Sequence, residues 1–169
     1  TLLHVLRQDY PHQHLCRYSD SNGLAILSRK VRLDKTACGL DVAMAEAVIA
    51  LPSGPHHLVA VHLSWPFPGK QPEQMDALVD HMATRAHPVL FGGDFNMVPW
   101  SHALRRVEDR SGAERAGPAR TTFLLGSVPV SIDHVFAPGG GHAETRPLLG
   151  SDHFGVLAFV HPAAQADSA

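Results

Sequence analysis

The sequence predicts one α+β domain in which two β-sheets pack together and helices are few. Its 169 residues fit a single domain. Several short segments alternate apolar and polar residues between turn residues, which is typical of strands, whereas one long segment has helical spacing. Apolar residues make up 44% and charged residues 18%, which excludes disordered and fibrous proteins. No apolar run approaches the roughly 18–20 residues of a transmembrane helix.

The first half of the chain is predicted to be mostly strand. Residues 2–6 have the apolar spacing of the end of an amphipathic helix, which stops before Pro11. The turn sequence Asp20-Ser21-Asn22-Gly23 predicts a hairpin between its flanking strands, and residues 52–55 predict a second loop. The predicted strands are residues 14–19, 24–29, 41–51 and 58–63.

The second half contains the clearest helix, at residues 72–86. Met75, Leu78, Val79 and Met82 form its apolar face, and Pro72 suits its first turn. The other predicted elements are a short buried strand at 88–91, a short helix at 102–109, a loop at 111–121 and strands at 128–136 and 154–160.

Asp94 and Asn96 are the first candidates for a functional site. They follow the buried strand and, two residues apart, project to the same side of the backbone. A carboxylate and an amide in one cleft suit metal coordination and the orientation of a water molecule. An Asx-type turn that ends the strand explains the pair equally well.

Three further candidates are Asp133, the dipeptide Asp152-His153 and His62. Asp133 interrupts an apolar strand, so its carboxylate must be paired: it either orients a histidine base or caps a turn. Asp152 and His153 offer a hard-cation ligand and a proton acceptor, although such a dipeptide is common in surface loops. A lone histidine at a strand end, as His62 is, is more often structural than catalytic.

In order and spacing, these segments resemble the endonuclease/exonuclease/phosphatase superfamily, which has the DNase I-like fold, over about residues 10–160. The resemblance implies an α/β (α+β) four-layered sandwich of two mainly antiparallel sheets flanked by helices, formed by residues 1–161, with a flexible tail at 162–169. It rests on residues 22–29, His62, Gly92-Gly93-Asp94-Phe95-Asn96, Ile132-Asp133-His134 and Ser151-Asp152-His153.

The resemblance also implies hydrolysis of phosphate esters with Mg²⁺ or Mn²⁺, and it gives the candidates their roles. His153 corresponds to the catalytic histidine and Asp133 to the acid that orients it. Asp94 corresponds to the residue that positions or deprotonates the attacking water, and Asn96 to the residue that steadies this water or a phosphate oxygen.

The implied metal ligands are Asp94, Asn96 and Asp152, and His62 corresponds to a donor to the phosphate. Such a site needs an aligned water, donors that neutralise charge and a cation. His134 has no assigned role beyond packing or support of its neighbours.

The expected function is therefore that of a metal-dependent phosphoesterase. A nuclease-like phosphodiesterase is slightly favoured over a phosphomonoesterase or a lipid phosphodiesterase, so the expected partner is a nucleic acid, a phospholipid or a small phosphate ester. The formal charge of −2 does not decide among them. A non-catalytic relative used only for binding is disfavoured, because it has no need to keep all of Asp94, Asn96, Asp133, Asp152 and His153.

A second class of function is a non-catalytic, His-rich metal-binding module. The chain has thirteen histidines, and His12, His14, His56 and His57 are the candidate ligands. Solvated histidines in loops and at strand edges are the simpler interpretation of these residues.

The sequence departs from the family pattern at its start. Family members carry an early strand with an Asn and a second strand that ends in Gln-Glu, and both would lie before Thr1. Neither Glu46, in an apolar strand, nor Glu73, at a helix start, matches that metal-binding Glu. We therefore expect a fold incomplete at its N-terminus, an upstream segment of the same polypeptide as partner, and weak Mg²⁺ binding without it.

The cellular location and the state of the two cysteines also depend on context. Proteins of this kind are often tethered to a bacterial membrane by preceding helices, which would place the domain outside the cytoplasm. Cys16 and Cys38, separated by 22 positions, form either a disulfide or two separate buried thiols.

Overall fold

The structure, a computed structural model, describes residues 2–20, 22–39, 42–86 and 88–162. It has the mixed α/β architecture that the sequence predicts, with several sheets and few helices. Of the predicted flexible tail, residues 162–169, only Pro162 is among the described residues. Asp41, the predicted first residue of a strand, also lies outside them.

The helices and strands are numbered in chain order. The first seven are α1 (Leu2–Val5), β1 (His12–Arg17), β2 (Gly23–Ser28), β3 (Asp34–Cys38), β4 (Ala43–Leu51), β5 (Gly54–His62) and α2 (Gln71–Ala83). The next four are β6 (Val89–Asp94), α3 (His102–Ser111), β7 (Glu114–Arg115) and β8 (Phe123–Leu125). The last four are β9 (Val128–Val130), β10 (Asp133–Ala137), β11 (Gly141–Arg146) and β12 (Gly155–Val160).

A six-stranded sheet in the order β3-β4-β5-β6-β10-β7 forms the centre of the fold. β5 and β6 are parallel, because the chain crosses from one to the other through α2, and the other neighbours are antiparallel. The predicted hairpin of β1 and β2 is confirmed, with His12 opposite Ser28 and Arg17 opposite Gly23. β11 pairs with β12 and β8 with β9 in two further hairpins.

Successive side chains of each strand point to opposite faces of the central sheet, and both faces are apolar. Helices α2 and α3 cover one face, where the predicted apolar side of α2 packs on Val59, Val61 and Phe91. The β1–β2 and β11–β12 hairpins cover the other, where Ala45 packs with Ile26. A groove of about 310 Å³ between these hairpins is lined by apolar residues of both and of the sheet.

The sequence analysis missed several short or exposed strands. β3, β8 and β11 were not predicted, and β7 lies within the predicted loop at 111–121. All residues of β3 are exposed and β11 buries only Ala143, so neither has an alternating apolar pattern. The predicted strand at 128–136 is interrupted between β9 and β10, and the predicted loop at 52–55 is shorter because β5 begins at Gly54.

Cys16 and Cys38 form a disulfide, the first of the two interpretations left open by the sequence. It joins β1 to β3, and the two Cα atoms lie 5.6 Å apart. The β1–β2 hairpin is thus covalently attached to the first strand of the central sheet.

Candidate active site

Three neighbouring strands of the central sheet bring their polar ends together. His62 is the last residue of β5, Asp94 the last of β6 and Asp133 the first of β10. The register places His62 opposite Asp94 and Asp94 opposite Asp133. Since residues directly opposite each other share a face of the sheet, the three side chains form a row on one face. The sequence predicted these residues individually, and the sheet makes them neighbours.

His153 completes the row from the loop before β12. Its Nδ1 lies 2.9 Å from Oδ2 of Asp133, and its Nε2 lies 4.0 Å from Oδ2 of Asp94. Its ring packs against Phe123, with centroids 4.8 Å apart. The backbone N–H of Phe154 donates to the carbonyl of Thr122 at 2.8 Å and fixes this loop on the start of β8. The predicted pair of Asp133 and His153 is therefore formed.

Asn96 occupies a tight turn directly after β6. Its φ is 49°, and its backbone N–H donates to Oδ1 of Asp94 at 2.8 Å, so the Asx-type turn is present. Its Nδ2 donates to the carbonyl of Leu63 at 2.8 Å. Asn96 also lines the cleft, and its buried Oδ1 has no hydrogen-bond partner among the described residues. The segment therefore forms an Asx-type turn and also places Asn96 in the cleft, so both interpretations from the sequence are compatible.

Gly93 allows β6 to approach β5 closely at this point. Its φ is 146°, and a Cβ atom there would lie 2.0 Å from the carbonyl oxygen of Val61. A side chain would force the strands apart just before Asp94. Gly93 therefore serves the geometry of the site.

Two buried polar residues that the sequence analysis missed hold the loops around the site. Oγ1 of Thr122 accepts from the backbone N–H groups of Ile132 and Asp133 at 3.0 and 3.1 Å. Nε2 of Gln71, at the start of α2, donates to the carbonyls of Ser64 and Asn96 at 2.7 and 3.1 Å. No motif marks either residue, because their partners are backbone atoms that come near only in the folded chain.

His134 is a structural residue. It points to the face of the sheet opposite Asp133, is buried, and donates from Nε2 to the carbonyl of Met97 at 2.8 Å. Burial lowers the pKa of His134 below its ordinary value, in spite of the bond to Met97, so it is neutral near pH 7. This agrees with the packing role expected from the sequence.

The electrostatics of the row differ from those of free side chains. Burial raises the pKa of Asp94 above its ordinary value, and the nearby charge of Asp133 adds to this effect. Burial lowers the pKa of His153, but the hydrogen bond and charge of Asp133, with the charges of Asp94 and Asp152, outweigh it and raise the pKa. The two groups thus hold protons more tightly than they do in water.

The residues around the cleft fit a divalent cation. The cleft has a volume of about 470 Å³ and is lined by Asp94, Asn96, Asp133 and Asp152, whose oxygen atoms are the ligands that Mg²⁺ prefers. The orphaned Oδ1 of Asn96 is a buried acceptor that a cation would satisfy. Ligand atoms of Asp94, Asp133 and His153 also lie within 4.8 Å of one another. The predicted set Asp94, Asn96 and Asp152 remains a prediction.

Three of the four histidines of the alternative metal module have other partners. Nδ1 of His57 contacts Glu46 at 2.7 Å, and the buried His56 lies 2.9 and 2.7 Å from the carbonyls of Gly54 and Pro162. His14 lies beside Cys16 and Cys38, whose sulfur atoms are joined in the disulfide. Glu46 is buried among His57, His81 and Arg85, on the face of the sheet opposite Asp94.

In the part of the chain that the structure describes, no helix has the length and apolar character needed to cross a membrane.

Comparisons with known proteins agree with this geometry. A family model described as Endonuclease/Exonuclease/phosphatase family matches residues 2–153. No curated protein matches the sequence significantly. Solved structures of similar fold include TDP2 from D. rerio complexed with single strand DNA product, with a TM-score of 0.70 and 15% identity over 93% of this chain and 79% of that chain.

Two other solved structures have the same fold, with similar TM-scores and sequence identities. Sphingomyelinase C from Streptomyces griseocarneus has a TM-score of 0.61 and 18% identity over 93% of this chain and 80% of that chain. A beta toxin variant from Staphylococcus aureus with bound magnesium ions has a TM-score of 0.66 and 16% identity over 95% of this chain and 81% of that chain. The DNase I-like fold class expected from the sequence is confirmed.

Proposed function

Because the chain belongs to the Endonuclease/Exonuclease/phosphatase family, we propose that it is a divalent-metal-dependent phosphodiesterase that uses an activated water molecule. The observation that carries this proposal is the row of Asp133, His153 and Asp94, with separations of 2.9 and 4.0 Å. Among its structural neighbours are a TDP2 complex with a DNA product, a sphingomyelinase and a magnesium-bound toxin. Nucleic acids and phospholipids are the two large natural classes of phosphodiester.

His153 acts as the proton acceptor in this proposal. Its Nδ1–H donates to Asp133, which fixes the tautomer and leaves the lone pair of Nε2 directed toward Asp94. A water molecule hydrogen-bonded to both Nε2 and Oδ2 of Asp94 fits the 4.0 Å gap between them. Asp94 orients this water, and Nε2 takes its proton as the oxygen attacks phosphorus. The bond from phosphorus to one ester oxygen breaks, and the leaving oxygen takes a proton from solvent.

The other side chains stabilise the charge that develops on the phosphate. Nε2 of His62 lies 3.5 Å from Oδ2 of Asp94 and stands at the mouth of the cleft, where it donates to a phosphate oxygen. Asp94, Asn96 and Asp152 would hold the divalent cation, which supplies Lewis-acid stabilisation of the phosphate oxygens when bound. Each of these groups is positioned before substrate arrives, so little reorganisation is needed during the reaction.

Hydrolysis of the soluble diester bis(p-nitrophenyl) phosphate tests the proposal. We expect release of p-nitrophenol that requires Mg²⁺ or Mn²⁺, stops with EDTA and falls at least a hundredfold in His153→Ala. His142→Ala, which removes a half-exposed histidine on β11, is the matched control and keeps the wild-type rate. A rate that persists in EDTA, or in His153→Ala, contradicts the proposal. Faster cleavage of the monoester p-nitrophenyl phosphate identifies a phosphomonoesterase instead.

A further inference from the structure

A second, apolar cavity adjoins the catalytic cleft. It has a volume of about 510 Å³, which is the size of a small-ligand site, and it shares Trp65 and Asn96 with the cleft. Met75, Met97 and Ile132 line it and are buried. The reaction described above uses none of these three residues, although they lie directly beside the phosphate site.

The charges around the two cavities do not suit a polyanion. No Lys or Arg lines the catalytic cleft among the described residues. Arg106 lines the apolar cavity, but its guanidinium is bound to Asp76 at 2.8 Å. Nucleic acids are bound chiefly through phosphate contacts to Lys and Arg, and single strands also stack on aromatic rings. Trp65 lines both cavities and Phe123 lines the cleft, so aromatic faces are present, but free cationic side chains to hold the phosphates of a polyanion are absent from the described linings of both cavities.

Exposed apolar side chains surround the mouth of this cavity. Each of them lines the cavity or lies within two residues of one that does. Phe67, next to the lining residue Pro66, is 89% exposed, and Trp100, next to the lining residue Ser101, is 72% exposed. We call this set the apolar rim, and its members are Trp65, Phe67, Trp100, Leu124, Leu125 and Val128.

A pair of exposed leucines lies on the other flank of the catalytic row. Leu148 and Leu149 line a cavity with Asp133 and His153, and Leu149 is 90% exposed with a φ of 50°. Together with the apolar rim they account for eight of the twelve large apolar side chains exposed in the described residues. Apolar groups gathered on one side of a protein mark a site of contact with a membrane or partner.

We propose that the substrate is a phospholipid presented at the surface of a bilayer. The phosphate lies at the row of Asp133, His153 and Asp94, and the hydrocarbon next to it enters the cavity lined by Met75. The apolar rim inserts into the interface, where Trp side chains are favoured because one end is apolar and the other can stay hydrated. This inference rests on the proposed phosphodiesterase function. It selects a lipid substrate, whereas the sequence analysis slightly favoured a nucleic acid.

The continuity of the cavity with the cleft argues for the substrate itself as the occupant. Trp65 lines both, and its ring lies 6.1 Å from that of Phe123, which in turn packs on His153. A group attached to the phosphate therefore meets the cavity without leaving the protein surface. Because the rim consists of apolar side chains, we expect it to bind zwitterionic vesicles without anionic lipid.

Sedimentation and hydrolysis with phosphatidylcholine vesicles test the role of the apolar rim. We expect wild-type protein to sediment with the vesicles and to hydrolyse their lipid. In Phe67→Ser and Trp100→Ser, the ratio of the vesicle rate to the bis(p-nitrophenyl) phosphate rate falls at least tenfold. Phe159→Ser, at an exposed phenylalanine on β12, is the matched control and keeps the wild-type ratio. An equal loss of both rates in the rim variants overturns the proposal.

A soluble pair of substrates tests the cavity separately. Dihexanoyl phosphatidylcholine below its micelle concentration carries hydrocarbon, and glycerophosphocholine has the same headgroup without it. We expect a kcat/KM at least tenfold higher for the first, and loss of this preference in Val130→Trp, which fills the cavity from its wall. If Val130→Trp does not fold, the wild-type preference alone decides: equal values for the two substrates overturn the proposal.

The outcomes separate this inference from the proposed function. Metal-dependent hydrolysis of bis(p-nitrophenyl) phosphate, with no binding to vesicles or with faster cleavage of a single-stranded oligonucleotide than of lipid, overturns the lipid assignment alone. No metal-dependent hydrolysis of any diester overturns the proposed function itself.

Discussion

Two clusters of carboxylates and histidines lie on the central sheet, and they differ in their balance of charge. The cleft of the proposed active site is lined by Asp94, Asp133 and Asp152 with His62 and His153, and contains no Lys or Arg among the described residues. The Glu46 cluster has one carboxylate, bound by His57, His81 and Arg85. Alternation along the strands places the two clusters on opposite faces of the sheet.

The pKa shifts of the two clusters have opposite signs for this reason. Burial raises the pKa of Asp94, and the neighbouring Asp133 adds to the shift. Burial also acts to raise the pKa of Glu46, but the bond from His81 and the charge of Arg85 outweigh it, and the pKa lies below its ordinary value. The same residue types thus form a compensated structural cluster at one place and a cleft with excess negative charge at the other. The charges therefore favour binding of a cation in the cleft and not in the Glu46 cluster.

The largest expected effect is on activity, from variants of the catalytic row. We expect His153→Ala and Asp94→Asn each to lower kcat by about 10²–10⁴, because they remove the proton acceptor and the group that orients the water. Metal-dependent hydrolysis of a soluble diester measures this effect. Near-normal rates in both variants mean that the row is not the catalytic site.

Thermal unfolding of Asp94→Asn is the matching measurement of stability. Because the charged form of Asp94 is disfavoured by burial and by Asp133, we expect the metal-free variant to be at least as stable as the wild type. A lower Tm for this variant in EDTA shows that Asp94 is a structural residue like Glu46.

The converse is expected for Glu46→Gln. The variant leaves His57, His81 and Arg85 around a neutral amide, and we expect a loss of about 1–3 kcal/mol in the free energy of unfolding. Chemical denaturation measures this loss. The kcat of the folded variant should equal that of the wild type, because Glu46 faces away from the cleft. A fall in kcat without a fall in stability reverses the assignment of the two clusters.

The sequence predicted the parts of the fold that have a one-dimensional pattern. The apolar face of α2 and the β1–β2 hairpin could be recognised because spacing and turn residues mark them locally. β3 and β11 could not, since their residues are mostly exposed and their pairing depends on neighbours that the sequence does not name. Asp133 was assigned to the interior of a long strand, but it begins β10 after an interruption.

The sequence predicted the residues of the candidate site but not the residues that hold them in place. Asp94, Asn96, Asp133 and His153 stand in recognisable motifs. The register of β6 and β10 places Asp94 opposite Asp133, and the loop before β12 brings His153 to Asp133. Thr122 resembles any other threonine in a loop until the fold places the N–H of Asp133 on its hydroxyl. The partners of Glu46, from β5 and α2, are likewise defined only by tertiary structure.

A smaller effect is expected from Thr122, whose neutral hydrogen bonds position Asp133. In the Glu46 cluster, the corresponding contacts are between charged groups. Thr122→Val keeps the volume but removes the hydroxyl that accepts from Ile132 and Asp133. We expect kcat to fall about tenfold with little change in KM, because Asp133 is displaced from His153 while the binding cavity is unaffected. Thr122→Ser restores the acceptor and should restore kcat. A variant that loses only stability, or is not rescued by Ser, assigns Thr122 a purely structural role.

The smallest expected effect is the pH dependence of the stability difference between wild type and Glu46→Gln. Since folding lowers the pKa of Glu46, its contribution to stability is fully present above its unfolded pKa, about 4.3, and is lost as pH falls through the folded pKa. The difference between the two proteins should therefore be constant near neutrality and shrink below about pH 4.3.

Asp94→Asn in EDTA should show the opposite pH dependence of the stability difference from wild type. The raised pKa of Asp94 favours the fold only while that carboxyl is protonated, so any advantage of the variant grows as pH rises through the folded pKa. Denaturation curves of the three proteins between pH 3 and 8 measure both differences. If the stability difference from wild type has the same pH dependence in both variants, the charge balance of the two clusters does not set their roles.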